Sequence, residues 1–133
     1  MQRSPALQPL SREHHAALKL ALLCERAAIS ADESAIQHAC RHVLQSYTNE
    51  LDAHFLHEER TLLPLLSDTP DQPLAERTLE EHRSLRELLN GLRQNSAAAL
   101  RNFGIILKMH VRFEEQELFP ALERRLAHRN MQQ

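Results

Sequence analysis

The chain has 133 residues, enough for one domain with a real core, and its 42% hydrophobic content argues against disorder. A formal net charge of −2, from 16 Lys and Arg against 18 Asp and Glu with no basic block, gives no sign of a nucleic-acid surface. With 4% aromatic residues, no Trp and two Gly, the composition suits close-packed helices and leaves too few turn residues for a sheet.

The opening MQRSPALQPLSREHH has no apolar stretch that serves as a secretory signal, and no apolar run approaches membrane-spanning length. The expectation is a cytoplasmic protein. Cys24 and Cys40 are isolated in different segments and read as buried reduced thiols, with a disulfide left open. Nine His in one small domain are more than solubility or packing requires.

Four helices follow in chain order. Ser11 suits the N-cap of a first helix over about residues 11–29, after an N-terminal extension of residues 1–10; its inner stripe is expected at His15, Leu18, Leu22 and Ile29. Ser30 and Glu33 form a capping box for a second helix that runs to about Pro64. Its stripe is Val43, Tyr47, Leu51, His54, Glu58 and Leu62. SDTPDQP at 67–73 is the clearest linker, and Pro73 suits the first turn of a third helix ending near Leu89 or Asn90. His82, Leu85, Leu89 and Leu92 mark its inner side, with Gly91 near its end. Asn95 or Ser96 caps a fourth helix to about Ala127, with Phe103, Leu107, His110, Glu114 and Leu118 facing in. Gly104 costs that helix some stability and allows close packing.

The two halves repeat. HFLHEERTLLPLL at 54–66 aligns without a gap to HVRFEEQELFPAL at 110–122, an offset of 56 residues that also pairs Tyr47 with Phe103, Leu51 with Leu107 and Pro64 with Pro120. HHAAL at 14–18 aligns with EHRSL at 81–85, pairing His15 with His82 because His15–Leu18 mirrors His82–Leu85; His14 is the alternative. Two copies of one helical hairpin predict an all-α fold: a single domain over 1–133, an antiparallel up-down-up-down four-helix bundle with a pseudo-two-fold internal repeat.

Positions i and i+4 of a helix lie on one face, about 40° apart and about 6 Å along the axis. His54-x-x-x-Glu58 and His110-x-x-x-Glu114 therefore each present an imidazole and a carboxylate on stripes that are otherwise Leu, Tyr and Phe. Two unpartnered carboxylates in a core are too costly for folding, and a cation removes the cost. The imidazole–carboxylate mixture, without thiolate, suits iron, manganese or zinc and argues against a structural zinc site. Paired carboxylates able to bridge favour a dinuclear centre. Ferritin-like bundles place Glu before His as E-x-x-H, the reverse of the order here.

REHHAAL, HFLHEERTLLP, LEEHRSL and HVRFEEQELFP, in this order and covering nearly the whole chain, resemble the hemerythrin-like (HHE cation-binding) family. The resemblance implies a centre of two non-haem irons with an oxo or hydroxo bridge, Mn or Zn being substitutes. By it His15 and His54 would ligate one iron, His82 and His110 the other, and Glu58 and Glu114 would bridge them. The oxygen carriers of that family have a second histidine one turn after the first in helix 3, where this chain has Arg86. They also end helix 4 with H-x-x-x-x-D, against His110-x-x-x-Glu114 here. The resulting symmetric set of two His per iron resembles the di-iron domain of proteins that repair nitric-oxide-damaged iron–sulfur clusters. It favours sensing or handling of O₂, nitric oxide, peroxide or iron over reversible oxygen transport.

The competing readings are a di-iron oxidase or peroxide-consuming enzyme at the same positions and a metal-free helical interaction module. His38 and His42 form an i, i+4 pair without an acidic partner and read as solvated, as do His57 and His128. Glu59 and Glu115 point about 100° from their neighbours and suit outer contacts to the centre or plain solvation. Tyr47 reads as core, with a hydrogen bond near the centre as the alternative, and Arg86 as a partner for a carboxylate at the bundle edge. Mixed charge on the outer faces leaves a protein partner or a homodimer open.

Overall fold

A computed structural model describes residues 3–131, and among these every regular element is helical. Four rods make up the bundle. Helix α1 is Gln8–Ser30. Helix α2 spans 33–66 and is built from Glu33–Ser46, a π turn at Tyr47–Leu51, Asp52–His57, a second π turn at Glu58–Leu62 and a closing 3₁₀ turn at Leu63–Leu66. Helix α3 spans 72–93, as Gln72–Glu87 followed by Leu89–Arg93. Helix α4 spans 97–131, as Ala97–Phe113, a third π turn at Glu114–Leu118 and Phe119–Met131.

Caps explain the boundaries. Ser96 accepts a hydrogen bond from Ala99 N at 3.1 Å and starts α4. At the start of α2 the cap is Asp32, which accepts from Ala35 N at 3.0 Å, where the capping box had pointed to Ser30; the Ser30 hydroxyl instead donates to Ala27 O, closing α1. Ala31 takes the left-handed conformation (φ 57°) that turns the chain between α1 and α2. Helix α1 begins three residues before Ser11, with Pro9 in its first turn.

The inner face of α1 differs from the expected one. Leu10, His14, Ala17, Ala21, Cys24 and Ala27 are buried, whereas Leu18, Leu22 and Ile29 are exposed, Ile29 to 80%. Close helix packing explains the phase. Helix α1 packs most extensively on α4, where a Cβ added at Gly104 would lie 2.8 Å from both Ala21 O and Cys24 Cβ. Small side chains are the ones that fit such a contact, and overpacking it costs about 1–3 kcal/mol. Cys24 and Cys40 are both buried and free.

Two apolar clusters fill the interior. One holds Val43, Leu51, Phe55, Leu85, Leu100, Phe103 and Leu107; the other holds Leu7, Leu10, Leu62, Leu66, Phe113, Leu118 and Phe119. Along α2 and α4 the buried polar residues His54, Glu58, His110 and Glu114 fall between the two. The residues ahead of α1 close the second cluster: Leu7 is fully buried, and the Ser4 hydroxyl donates to Glu123 at 2.6 Å. No helix among the described residues is long and apolar enough to cross a membrane.

Candidate metal centre

Each rod contributes one imidazole: His14 from α1, His54 from α2, His82 from α3 and His110 from α4, all 5% exposed or less. Glu58 and Glu114 stand between them, both fully buried. Ligand atoms of His14, His54, Glu58 and Glu114 lie within 4.8 Å of one another, and so do those of Glu58, His82, His110 and Glu114. The two groups share both carboxylates.

The structure thus brings together His54, Glu58, His82, His110 and Glu114 but corrects the choice in α1. His15 is exposed, and its neighbour His14 occupies the cluster. The small-residue contact between α1 and α4 sets the rotation of α1, and the Leu-based alignment to His82–Leu85 followed its outer face. A better signal is present in the sequence: Glu13–His14 matches Glu81–His82, and both glutamates turn out to have parallel roles.

Those roles form a closed ring. Every imidazole directs Nε2 toward the centre and binds an outer carboxylate through Nδ1. Glu13 of α1 holds His54 at 2.9 Å, Glu59 of α2 holds His82 at 2.6 Å, Glu81 of α3 holds His110 at 2.7 Å, and Glu115 of α4 holds His14 at 2.6 Å. Each rod fixes the imidazole of the next. An Nδ1–carboxylate contact of this kind orients the ring and frees Nε2 for a cation. Glu59 and Glu115 therefore make outer contacts to the centre, and Glu13 and Glu81 complete a set of which the sequence reading had found only half.

Two of the imidazoles have further supports of the same kind. His82 stacks on Phe55 at 4.0 Å and His14 on Phe119 at 5.2 Å. Arg86 binds Glu59 at 2.7 Å and lies over Phe55; Arg3 binds Glu115 at 3.1 Å and lies over Phe119. Arg86 also donates to the Tyr47 hydroxyl at 3.1 Å, which in turn donates to Asp52 at 3.2 Å, so Tyr47 joins the outer network.

The π turns in α2 and α4 that begin at Glu58 and Glu114 have a common cause. Pro64 and Pro120 lack an N–H, and their rings collide with the carbonyl four residues back in a regular helix. The chain widens just ahead of each: Leu63 N bonds Glu58 O and Phe119 N bonds Glu114 O, five residues apart.

Charge is crowded at the centre. Burial and the facing Glu114 raise the Glu58 carboxyl, while Glu114, despite its burial, is held well below the usual range by His110 and its other partners. Burial alone would lower the imidazoles, but Glu114 and Glu58 outweigh it and push His54 up to about 11. His110 is pushed up to about 10 against the same burial, chiefly by Glu114.

The donors fit a cation. Both oxygens of Glu58, Glu114 Oε2, His82 Nε2 and His110 Nε2 are buried without a hydrogen bond, although His82 Nε2 lies 3.0 Å from Glu58 Oε1 and His110 Nε2 lies 3.2 Å from Glu114 Oε2. Buried polar atoms left so are costly, and these five converge on one space. Imidazole nitrogen and carboxylate oxygen are the donor set of first-row transition metals.

An all-helical bundle with buried imidazoles around two shared carboxylates defines a candidate cation-binding domain. Comparison with known families agrees: residues 6–122 match the hemerythrin HHE cation binding domain, and the chain belongs to that family. No curated protein and no solved structure matches the chain.

Proposed function

We propose that the chain is a non-haem di-iron protein that senses or handles O₂, nitric oxide or iron. The observation that carries this reading is the pair of four-residue groups sharing Glu58 and Glu114, with five buried donor atoms left without hydrogen bonds. One ion would be held by His14 and His54, the other by His82 and His110, and Glu58 and Glu114 would serve both; manganese or zinc suit the same donors. A bound iron pair supplies redox capacity and positions for small ligands. The chain's own residues do the rest: the outer glutamates hold each ring by Nδ1, the stacked Phe55 and Phe119 exclude water, and Arg86 and Arg3 offset the outer negative charge.

In the same reading the rods run up-down-up-down, and the repeat in sequence corresponds to a pseudo-two-fold arrangement of two hairpins. Two imidazoles per ion, with Arg86 where the oxygen carriers place another histidine, favour reaction or sensing over reversible O₂ carriage. The test is metal content per chain with absorption spectra before and after anaerobic reduction. About two irons per chain, with near-ultraviolet bands lost on reduction, are expected. Uptake of zinc or manganese but not iron removes the redox part, and a folded protein holding no metal removes the whole reading.

A further inference from the structure

We propose that a neutral diatomic gas reaches the centre from one side only, through a pocket between α1 and α2 whose neck is formed by Ala17 and Leu51. The proposal rests on the metal-centre reading and adds to it the route and the half that receives the ligand. The pocket measures about 300 Å³; Leu20 and Leu23 are among its walls, and buried His54 also lines it. Beyond it lies a void of about 10 Å³ that shares Glu13, Ala17, Leu51 and His54 with the pocket and is also lined by His14, His110 and Glu114. That volume matches about one water-sized sphere, and Ala17 and Leu51 are the two apolar residues that the pocket and the void have in common.

The other half is packed more tightly. His82 is fully buried and stacks on Phe55, and the surface recess lined by Glu59 and Arg86 includes no imidazole. The backbone shows the same inequality. Leu51 and Glu50 sit on the π turn Tyr47–Leu51, which has no proline after it to explain it. Its counterpart under the 56-residue offset, 103–107, is regular α-helix, with Phe103 and Leu107 buried and Gly104 pressed against α1. Single π turns inside helices are found preferentially at functional sites.

The chemistry of the route selects its occupant. Apolar walls and an inner void of about 10 Å³ favour a small uncharged molecule. At the pocket's edge Glu13 and Glu50 outnumber Lys19, which disfavours anions.

Two measurements test this. In the metal-free protein, dissolved O₂ should broaden the methyl resonances of Leu20, Leu23 and Leu51 several-fold more than those of Leu85 and Leu100, which are fully buried and line neither the pocket nor the void. This readout needs no metal, so it succeeds or fails apart from the metal-centre reading; equal broadening overturns the route. In iron-loaded protein, stopped-flow association of nitric oxide should slow by about tenfold in Ala17→Leu, because admission then waits on side-chain movement. It should quicken in Leu51→Ala, which keeps the test open if Ala17→Leu does not fold. Ala53→Leu, in a separate recess of about 190 Å³ that also touches His54, should leave the rate unchanged. Slowing in Ala53→Leu, or no response to either neck variant, overturns the proposal.

Discussion

The His14–His54 half and the His82–His110 half use the same parts and differ in how far those parts are from water. The outer glutamates of the first half, Glu115 and Glu13, have side chains 33% and 52% exposed; those of the second, Glu59 and Glu81, are 18% and 20% exposed. Phe55 sits 4.0 Å from the His82 ring, while Phe119 stacks on His14 at 5.2 Å. One half is packed further from water and the other lies closer to it. A repeat in sequence thus supplies equal donors, and packing outside the repeat makes them unequal.

The largest effect that tests this comparison comes from the imidazoles. His14→Ala should reduce bound metal from about two equivalents to about one, since the second group keeps its own donors, while His15→Ala should leave the content unchanged. The reverse pattern, read by metal analysis, returns the ligand to His15 and breaks the account of how α1 is rotated.

The outer ring gives a finer measure. Removing such a carboxylate costs about 10–100-fold in metal affinity, and the loss should be greater for Glu81→Ala than for Glu13→Ala because water replaces the exposed partner more readily. Competition titration with a chelator reads both, and equal losses mean that the halves do not differ in this respect.

The smallest effect is on stability against pH in the metal-free protein. His54 and His110 rise to about 11 and about 10 from an unfolded value near 6.5. Their contribution is complete below about pH 6.5 and drains as pH rises through that window toward the folded values. The melting temperature of metal-free protein should therefore fall as pH is raised from about 6.5, and metal, which displaces those protons, should flatten the slope. A melting temperature that climbs with pH means that burial outweighs the carboxylates at these rings.

Much of this was legible in the sequence, for reasons specific to each element. His54 and Glu58, like His110 and Glu114, share a helical face whose other members are large and apolar, so periodicity alone places them inside. His82 is marked by Leu85 and Leu89 in the same way. Helix α1 gave the opposite signal, because a face pressed against Gly104 carries Ala and Cys while Leu18, Leu22 and Ile29 lie outward. Hydrophobicity favours the wrong side wherever backbones approach closely. Glu13 and Glu81 received no role from the sequence, since their partners lie on the following helix and local spacing does not reveal contacts between rods. The π turns left a trace only in Pro64 and Pro120; the one at Tyr47–Leu51 left none.

Each π turn holds one residue more than a regular turn, so the two shared carboxylates stand at places where the chain carries a surplus residue. In evolutionary terms such a position is a point of easy insertion and deletion. Deleting one residue within Glu58–Leu62, together with replacement of Pro64, returns that turn to regular helix and leaves the facing of the segments on either side nearly as it was. Such a turn can therefore be gained or lost in one rod by an indel joined to the change of one proline, while the other three keep their packing and their own imidazoles.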